Sequence, residues 1–234
     1  MSREVLYGRH PVHEALLAGR RRVRRVWATR GAAREPWLAG VEVVAADADE
    51  VARRAGTDAH QGLCALVDPY PYVDPAALLA APEPVLVALD GIEDPQNLGA
   101  ICRTAECAGV AGLVIPERRA VAVSGAVAKA SAGAVEHLSV ARVRNLADFL
   151  TDAKAASLWC YGAAADARVD YLEPDYGGGV VLVVGAEGRG LRPRVAGACD
   201  ELVRLPVRGR IASLNASAAT AALLYGILQR RDDA

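Results

Sequence analysis

No apolar run in the chain is long enough to span a bilayer. The opening stretch MSREVLYGRHPVHEALLAGR is charged and lacks the apolar centre of a signal peptide, so the cytoplasm is the expected location. The 5 cysteines (Cys64, Cys102, Cys107, Cys160, Cys199) are odd in number, scattered, and never form a C-x-x-C pair. That pattern argues against both a disulfide framework and a zinc site, and the expectation is reduced, mostly buried thiols. His10 and His13 stand three apart on an expected helix, but no third ligand cluster accompanies them, and no metal is expected. With a single Phe and 5% aromatic residues, base stacking is excluded as the main grip on a nucleic acid, although Tyr and Trp could assist. A net charge of −1 also speaks against a uniformly basic nucleic-acid protein.

What is present is a globular chain of 234 residues, 53% hydrophobic, enough for one large domain or a small one joined to a medium one. Arginine far outnumbers lysine, and Arg20, Arg21, Arg22, Arg24, Arg25, Arg30 and Arg34 crowd one short segment. A local basic surface can meet a polyanion even when the whole chain is neutral, whereas a compositional bias would produce the same crowding. Composition alone does not choose between them.

Periodicity predicts a small α/β unit first: a helix near Pro11–Leu17, strands near Val23–Ala28, Val41–Ala45 and Gly62–Val67, and a helix near Asp49–Ala55. The stretch DPYPYVDPAALLAAPEP, Asp68–Pro84, holds five prolines and reads as a linker, because each removes a backbone donor and restricts its predecessor. Beyond it, apolar strands alternate with helices: Val85–Leu89, Leu98–Ala108, Gly112–Ile115, Ser124–Ala134, Leu138–Val140, Leu146–Ala155, Leu158–Gly162, Val180–Val184 and a last helix over Leu214–Arg231. Such alternation implies crossover connections and a mainly parallel sheet. The expected division is therefore 1–70, a linker over 71–84, and a larger domain over 85–234. Ligands of such sheets bind beyond the carboxyl ends of the strands, which points to the loops after Leu89, Val184 and Leu205.

Those loops carry the unusual residues. In DGIEDPQNLGAICRTAECAG, Asp90–Gly109, a strand-to-helix turn brings Asn97, with Arg103 further along the helix. In VVLVVGAEGRGL, Val180–Leu191, the glycines Gly185, Gly188 and Gly190 let a backbone approach a ligand, and Glu187 sits among them. Their spacing is G-x-x-G-x-G rather than the dinucleotide pattern, and no Lys-Ser/Thr pair makes a phosphate loop. The third loop, RLPVRGRIASLNASAAT, brings Pro206, Gly209, Ser213 as a helix cap, and Asn215, an amide suited either to capping or to facing a ligand. Leu214, Ala218, Ala221, Leu224/Tyr225 and Leu228 are the expected apolar stripe of the last helix.

Taken together, DPQNLGAICRTAECAG, GAEGRGL and LPVRGRIASLNAS, in this order and spacing, resemble the three motifs of the SpoU (TrmH-type) branch of the SPOUT RNA 2′-O-methyltransferases. KASAGAVEHLSV, Lys129–Val140, is similar to a segment of the 23S rRNA guanosine-2′-O-methyltransferase subgroup, and LYGRHPVHEAL with HQGLCALV resembles that subgroup's ribosomal-protein-like RNA-recognition domain. Val207 stands where a methionine is common. The resemblance implies an α/β fold with a C-terminal trefoil knot, a small N-terminal α/β domain that binds RNA, a homodimer, and a role in rRNA processing. It implies S-adenosylmethionine as cofactor, held by Gly185, Glu187, Gly188, Gly190, Leu205, Pro206, Gly209, Ser213 and Leu214.

The catalytic group implied is Arg103, Asn97, Glu187 and Asn215. A guanidinium is not readily deprotonated, so Arg103 is expected to donate to the target phosphate or a developing alkoxide, with the phosphate or water taking the proton. Glu187 would orient the arginine or the ribose, and Asn97 with Asn215 would fix the nucleotide. The alternatives are ribose methylation of tRNA, antibiotic-resistance methylation of rRNA, and a non-enzymatic dimeric RNA-binding module.

Overall fold

The computed structural model describes residues 3–210 and 213–232. These fall into two compact units, Met1–Pro71 with Val123–His137, and Tyr72–Ala122 with Leu138–Ala234.

The first unit runs β1 (Glu4–Tyr7), α1 (Arg9–Ala18), β2 (Val23–Ala28), β3 (Val43–Ala45), α2 (Ala48–Ala55) and β4 (Leu63–Val67). Its sheet has the order β1-β4-β2-β3, with β4 antiparallel to both neighbours and β2 parallel to β3. Leu6, Val12, Val26, Leu63 and Ala65 are buried where α1 meets the strands. Of the crowded arginines, Arg21 is not a surface residue at all. Its guanidinium is buried and donates to Glu136, with Nε at 2.9 Å from Oε2, and to Glu4 at 2.7 Å. Burial disfavours that charge, but the bonds and charges of Glu136 and Glu4 outweigh it and hold Arg21 above its ordinary pKa. Arg24 pairs with Asp68, Arg25 and Arg54 lie over the Trp27 ring, and Arg22, Arg24, Arg25, Arg30 and Arg34 are all exposed.

The second unit begins inside the expected linker. Val73 bridges to Ala141, and α3 (Pro75–Leu79), capped by Asp74, buries Leu78. The prolines there set turns and a helix start instead of a free tether. Next come β5 (Val85–Asp90), α4 (Pro95–Cys107) and β6 (Gly112–Pro116). The chain then leaves for the first unit, where α5 (Gly125–Ala130) and the turns to His137 belong, so 85–234 is not one continuous domain. There Val127, Val135 and Glu136 are buried, and a Cβ on Gly125 would fall 2.3 Å from the Val5 carbonyl oxygen. KASAGAVEHL therefore lies with the N-terminal strands.

The chain returns as β7 (Val140–Val143), α6 (Leu146–Ala155), β8 (Leu158–Ala163), β9 (Val169–Asp170), β10 (Gly179–Gly185), α7 (Pro193–Ala196), β11 (Glu201–Arg204) and α8 (Ala216–Asp232). All pairings in the seven-stranded sheet are parallel, in the order β7-β6-β5-β10-β8-β11-β9. β5, up to its closing Asp90, and β10 are apolar because both faces are covered. Leu86, Ala88, Val181 and Val183 pack with Leu146, Phe149 and Leu150 of α6. The alternate residues turn to the opposite face, where α4 and α8 lie against each other and contact β6 and β10. On α8 the buried residues are Ala216, Thr220, Leu223, Leu224, Gly226 and Ile227, whereas Leu214, Ala218 and Tyr225 of the expected stripe are exposed. The last helix is apolar on nearly every side, so its pattern alone does not single out one face.

Candidate functional site

The loop after β10 closes on itself. Gly185 is the last residue of the strand, the Gly190 amide donates to the Ala186 carbonyl at 2.8 Å, and Gly188 and Gly190 have φ of 74° and 64°. A Cβ on Gly185 would stand 2.2 Å from the Gly190 carbonyl, so only glycine allows the loop to fold back this tightly. The far end of the loop is tied down by a residue that sequence reasoning did not single out. Asp90, paired in register with Gly185, has a fully buried carboxylate that accepts from the Arg192 backbone amide at 2.8 Å and from its Nε at 2.6 Å. An acid closing an otherwise apolar strand was the available signal.

Beyond the ends of β8, β10 and β11 lies a cavity of about 360 Å³. Gly185, Glu187, Gly188, Gly190, Leu205, Ser213 and Leu214, all expected to contact cofactor, line it. Pro206 and Gly209 lie on the same loop but are not among its walls, and Ile211 and Ala212 of the third motif lie outside the described residues. Sequence reasoning missed Ala163–Ala165 at the end of β8, and Ala216, Ala219 and Leu223 of α8, which complete an apolar wall. The small side chains of the alanines among them make room for a ligand. The volume and mostly apolar lining suit a small organic molecule with a few polar anchors.

At the rim of this cavity three of the four expected catalytic residues meet. Asn215 caps α8, its Oδ1 accepting from the Ser217 amide at 2.9 Å, and its Nδ2 donates to Asn97 Oδ1 at 2.9 Å and to Glu187 Oε2 at 3.1 Å. Asn215, not Ser213, is therefore the cap. Asn97 lies in the first turn of α4 behind the cap Asp94, whose side chain accepts from the Gln96 amide at 3.0 Å. Arg103 does not join the group. Six residues at roughly 100° each place it about 240° around the helix from Asn97. Leu98, Ile101, Cys102 and Ala105 occupy the buried face between them. Arg103 is exposed and makes no hydrogen bond or ion pair among the described residues.

Among the described residues no group of His, Cys, Asp and Glu is arranged to hold a metal ion. His13 packs against the Trp37 ring, with centroids 4.8 Å apart. No helix is long and apolar enough to cross a membrane among the described residues. The cysteines are free, and burial pushes the Cys102, Cys160 and Cys199 thiols up to about 12 and Cys64 up to about 11.

Residues 84–225 match the SpoU rRNA Methylase family, and residues 5–73 match the family described as RNA 2′-O ribose methyltransferase substrate binding. The chain belongs to the SpoU/TrmH family of RNA methyltransferases. It is 36% identical to a Staphylococcus haemolyticus protein assigned to the TrmH family of tRNA/rRNA methyltransferases, over 97% of this chain and 96% of that one. It is 44% identical to the Bacillus subtilis YacO protein of the same assignment, over 75% of this chain and 73% of that one. A solved rRNA methyltransferase from Sinorhizobium meliloti with AdoMet bound superposes with a TM-score of 0.83 at 26% identity, covering 97% of this chain and 87% of that one. The family's three motifs are thus the three loops that the parallel sheet gathers at one edge.

Proposed function

We propose that this RNA methyltransferase transfers the methyl group of S-adenosylmethionine to a ribose 2′-oxygen, on a guanosine of 23S rRNA, working as a cytoplasmic homodimer with a knotted C-terminal fold. The observation that carries the reading is the joining of Asn97, Asn215 and Glu187 at the mouth of the glycine-walled cavity. The fit of the cofactor rests on the closed loop at Gly185, where any Cβ would meet backbone, and on the apolar walls from Ala163–Ala165 and Leu205. When bound there, S-adenosylmethionine supplies a methyl group on a sulfonium centre. The backbone of Gly185–Gly190, with Leu205, Ser213 and Leu214, would hold its adenine, and no Rossmann fingerprint is required.

The chain's own part is positioning and electrostatics. Because Asn215 Oδ1 is fixed by the cap, its Nδ2 is aimed at Asn97 and Glu187. Glu187 has Oε1 left to accept from a ribose hydroxyl and orient it, while Asn97 and Asn215 position the nucleotide. Arg103, exposed and unpaired among the described residues, is free to donate to a phosphate of the target, which with water takes the hydroxyl proton.

The 23S assignment is supported by KASAGAVEHL, which packs with the unit that matches the substrate-binding family. The order β5-β10-β8-β11, in which late strands insert between or beside earlier ones, favours the knot. Exposed Leu172 and Tyr225 favour a second copy over α8.

The test uses tritiated S-adenosylmethionine, the full chain, and unmodified 23S rRNA and tRNA. Label is expected on rRNA at a guanosine that resists alkaline cleavage. Label on a base refutes the ribose chemistry, and preferential labelling of tRNA refutes the substrate.

A further inference from the structure

The carboxyl edge of the seven-stranded sheet carries a second cavity, of about 360 Å³, that none of the motif residues enters. It lies beyond the ends of β6 and β7. Three separate chain segments supply its walls: Arg118 and Arg119 after β6, Arg144 with Asn145 after β7, and Arg192 with Arg194 around the start of α7. Five arginines line one concavity, and the carboxylates bonded to them neutralise only two. Arg192 is committed to buried Asp90, and Arg194 to Asp148 at 2.8 Å. Arg118, Arg119 and Arg144 are exposed and have no hydrogen bond or ion pair among the described residues. Asn145 adds the start of a ten-residue helix, its side chain accepting from the Ala147 amide at 3.0 Å.

Unpaired like charges lining one hollow repel one another, and an anion seated among them relieves that repulsion. The hollow is cationic, whereas the cavity beside Gly185 is mostly apolar and carries no cation, so the two take different chemistry. Resting on the reading that RNA is the substrate, we infer that this arginine cavity binds the phosphodiester backbone of the RNA that is being methylated. Its position suits that role. β6 and β7 lie two and three strands from β10 in the sheet, which at about 4.8 Å per strand puts the arginines roughly 10–14 Å from the glycine loop. RNA laid along this edge meets the cofactor cavity with its target ribose and the arginines with phosphates a few nucleotides away. Guanidinium forks bind phosphate oxygens bidentately and carry no base preference, so the site fixes register while other residues select the base.

The experiment compares the full chain with the triple variant Arg118→Ala/Arg119→Ala/Arg144→Ala. Arg192 and Arg194 are left in place because they hold Asp90 and Asp148. RNA affinity is measured by fluorescence anisotropy over a range of salt concentrations, with calorimetry of S-adenosylmethionine as the control for an intact fold. The expected result is a loss of RNA affinity of roughly tenfold or more at low salt. The slope of log affinity against log salt should become shallower by about 2, since each phosphate contact contributes about 0.7 on a single strand. Cofactor binding should be unchanged. The corresponding triple Lys variant should recover most of the slope. An RNA affinity and slope equal to wild type overturns the proposal. So does a wild-type site that takes inorganic phosphate tightly while RNA affinity ignores the three substitutions, since the cavity would then serve a free anion. Should the wild-type chain bind RNA but transfer no methyl group to it, the functional reading fails while the arginine cavity is still judged by its own slope.

Discussion

Asn215 donates from Nδ2 to Asn97 Oδ1 at 2.9 Å, joining the first turns of two helices 118 residues apart in sequence. The bond exists because α4 and α8 pack side by side on one face of the sheet with their starts at its carboxyl edge. Each asparagine lies where a helix begins, so the same local feature that starts the helix also directs a side-chain amide toward the cavity. Glu187, reached by the second Nδ2 bond, adds the glycine loop to the group.

The two ends of the Asn215 amide do separate work, and substitution should separate them. Asn215→Ala loses both the cap and the donor: unfolding should cost about 1 kcal/mol less, and methyl transfer should fall on the order of a hundredfold. Asn215→Asp keeps the capping oxygen but replaces the donor with a charge beside Glu187. Its melting temperature should stay near wild type while transfer is lost as in the alanine variant. Equal activity of the aspartate variant and wild type would show that the amide donor is not used.

Arg103 should behave in the opposite way to a core residue. It is exposed and unpaired among the described residues, so Arg103→Ala should leave the melting temperature and cofactor binding within error of wild type. Methyl transfer should nearly vanish, and Arg103→Lys should recover only part of it because the fork that grips phosphate is gone. Full activity in the alanine variant removes this arginine from the mechanism.

The alternation of apolar strands and helices made the parallel sheet readable, and its carboxyl edge followed by rule, so the loops carrying Asn97, Glu187 and Asn215 were found from sequence. Their meeting was not legible, because it depends on the insertion of β10 between β5 and β8, a long-range pairing that no local pattern encodes. Local periodicity also misled where apolar residues surround a helix, as at Leu214 and Tyr225, which face outward. Arg21 shows the same limit from the other side: seven neighbouring arginines look alike in sequence, and only the arrival of Glu136 from a distant segment makes one of them a buried ion.

At Gly185 the constraint is steric. In Gly185→Ala the new Cβ would lie 2.2 Å from the Gly190 backbone, which cannot move without breaking the 2.8 Å bond between the Gly190 amide and the Ala186 carbonyl. The expected result is destabilisation of about 1–3 kcal/mol, the range for a strained backbone or an overpacked site, with cofactor affinity lost in calorimetry. Gly188→Ala is the contrast. Nothing lies within 4 Å of its Cβ, and only the φ of 74° opposes the change, so a loss of about 1–2 kcal/mol is expected with cofactor binding retained. Equal effects of the two substitutions would contradict the assignment of the tight contact.

The buried thiols predict the sign of a pH effect. Burial pushes Cys102 and Cys160 up to about 12 and Cys64 up to about 11, so between pH 9 and those values the unfolded chain releases protons that the folded chain keeps. Stability is therefore intact below about pH 9 and falls as pH rises. Tyr161, also pushed up to about 12 by burial, acts in the same direction, while Lys129, lowered by burial, opposes it. Urea midpoints at pH 8, 9 and 10 should decrease in that order. At pH 8 iodoacetamide should label exposed Cys107 quickly, and Cys64, Cys102 and Cys160 only in urea.

Glu136 tests the excursion of the chain into the first unit. Its side chain and that of Arg21 are each 1% exposed, and no other cation bonds to Glu136 among the described residues. Arg21→Ala should therefore destabilise the protein by about 3–5 kcal/mol, the cost of stranding a buried carboxylate, as read by urea unfolding. The double variant Arg21→Met/Glu136→Leu replaces the pair with apolar volume and should recover most of that loss. A fragment beginning at Pro82 also lacks Arg21 but keeps Val123–His137, so it exposes Val127, Val135 and an unpaired Glu136. Such a fragment should aggregate, although every residue lining the cofactor cavity is present in it. If it instead runs as a single species in sedimentation and melts at the temperature of the full chain, residues 123–137 do not depend on the N-terminal strands, and the Arg21–Glu136 pair loses the structural role given to it.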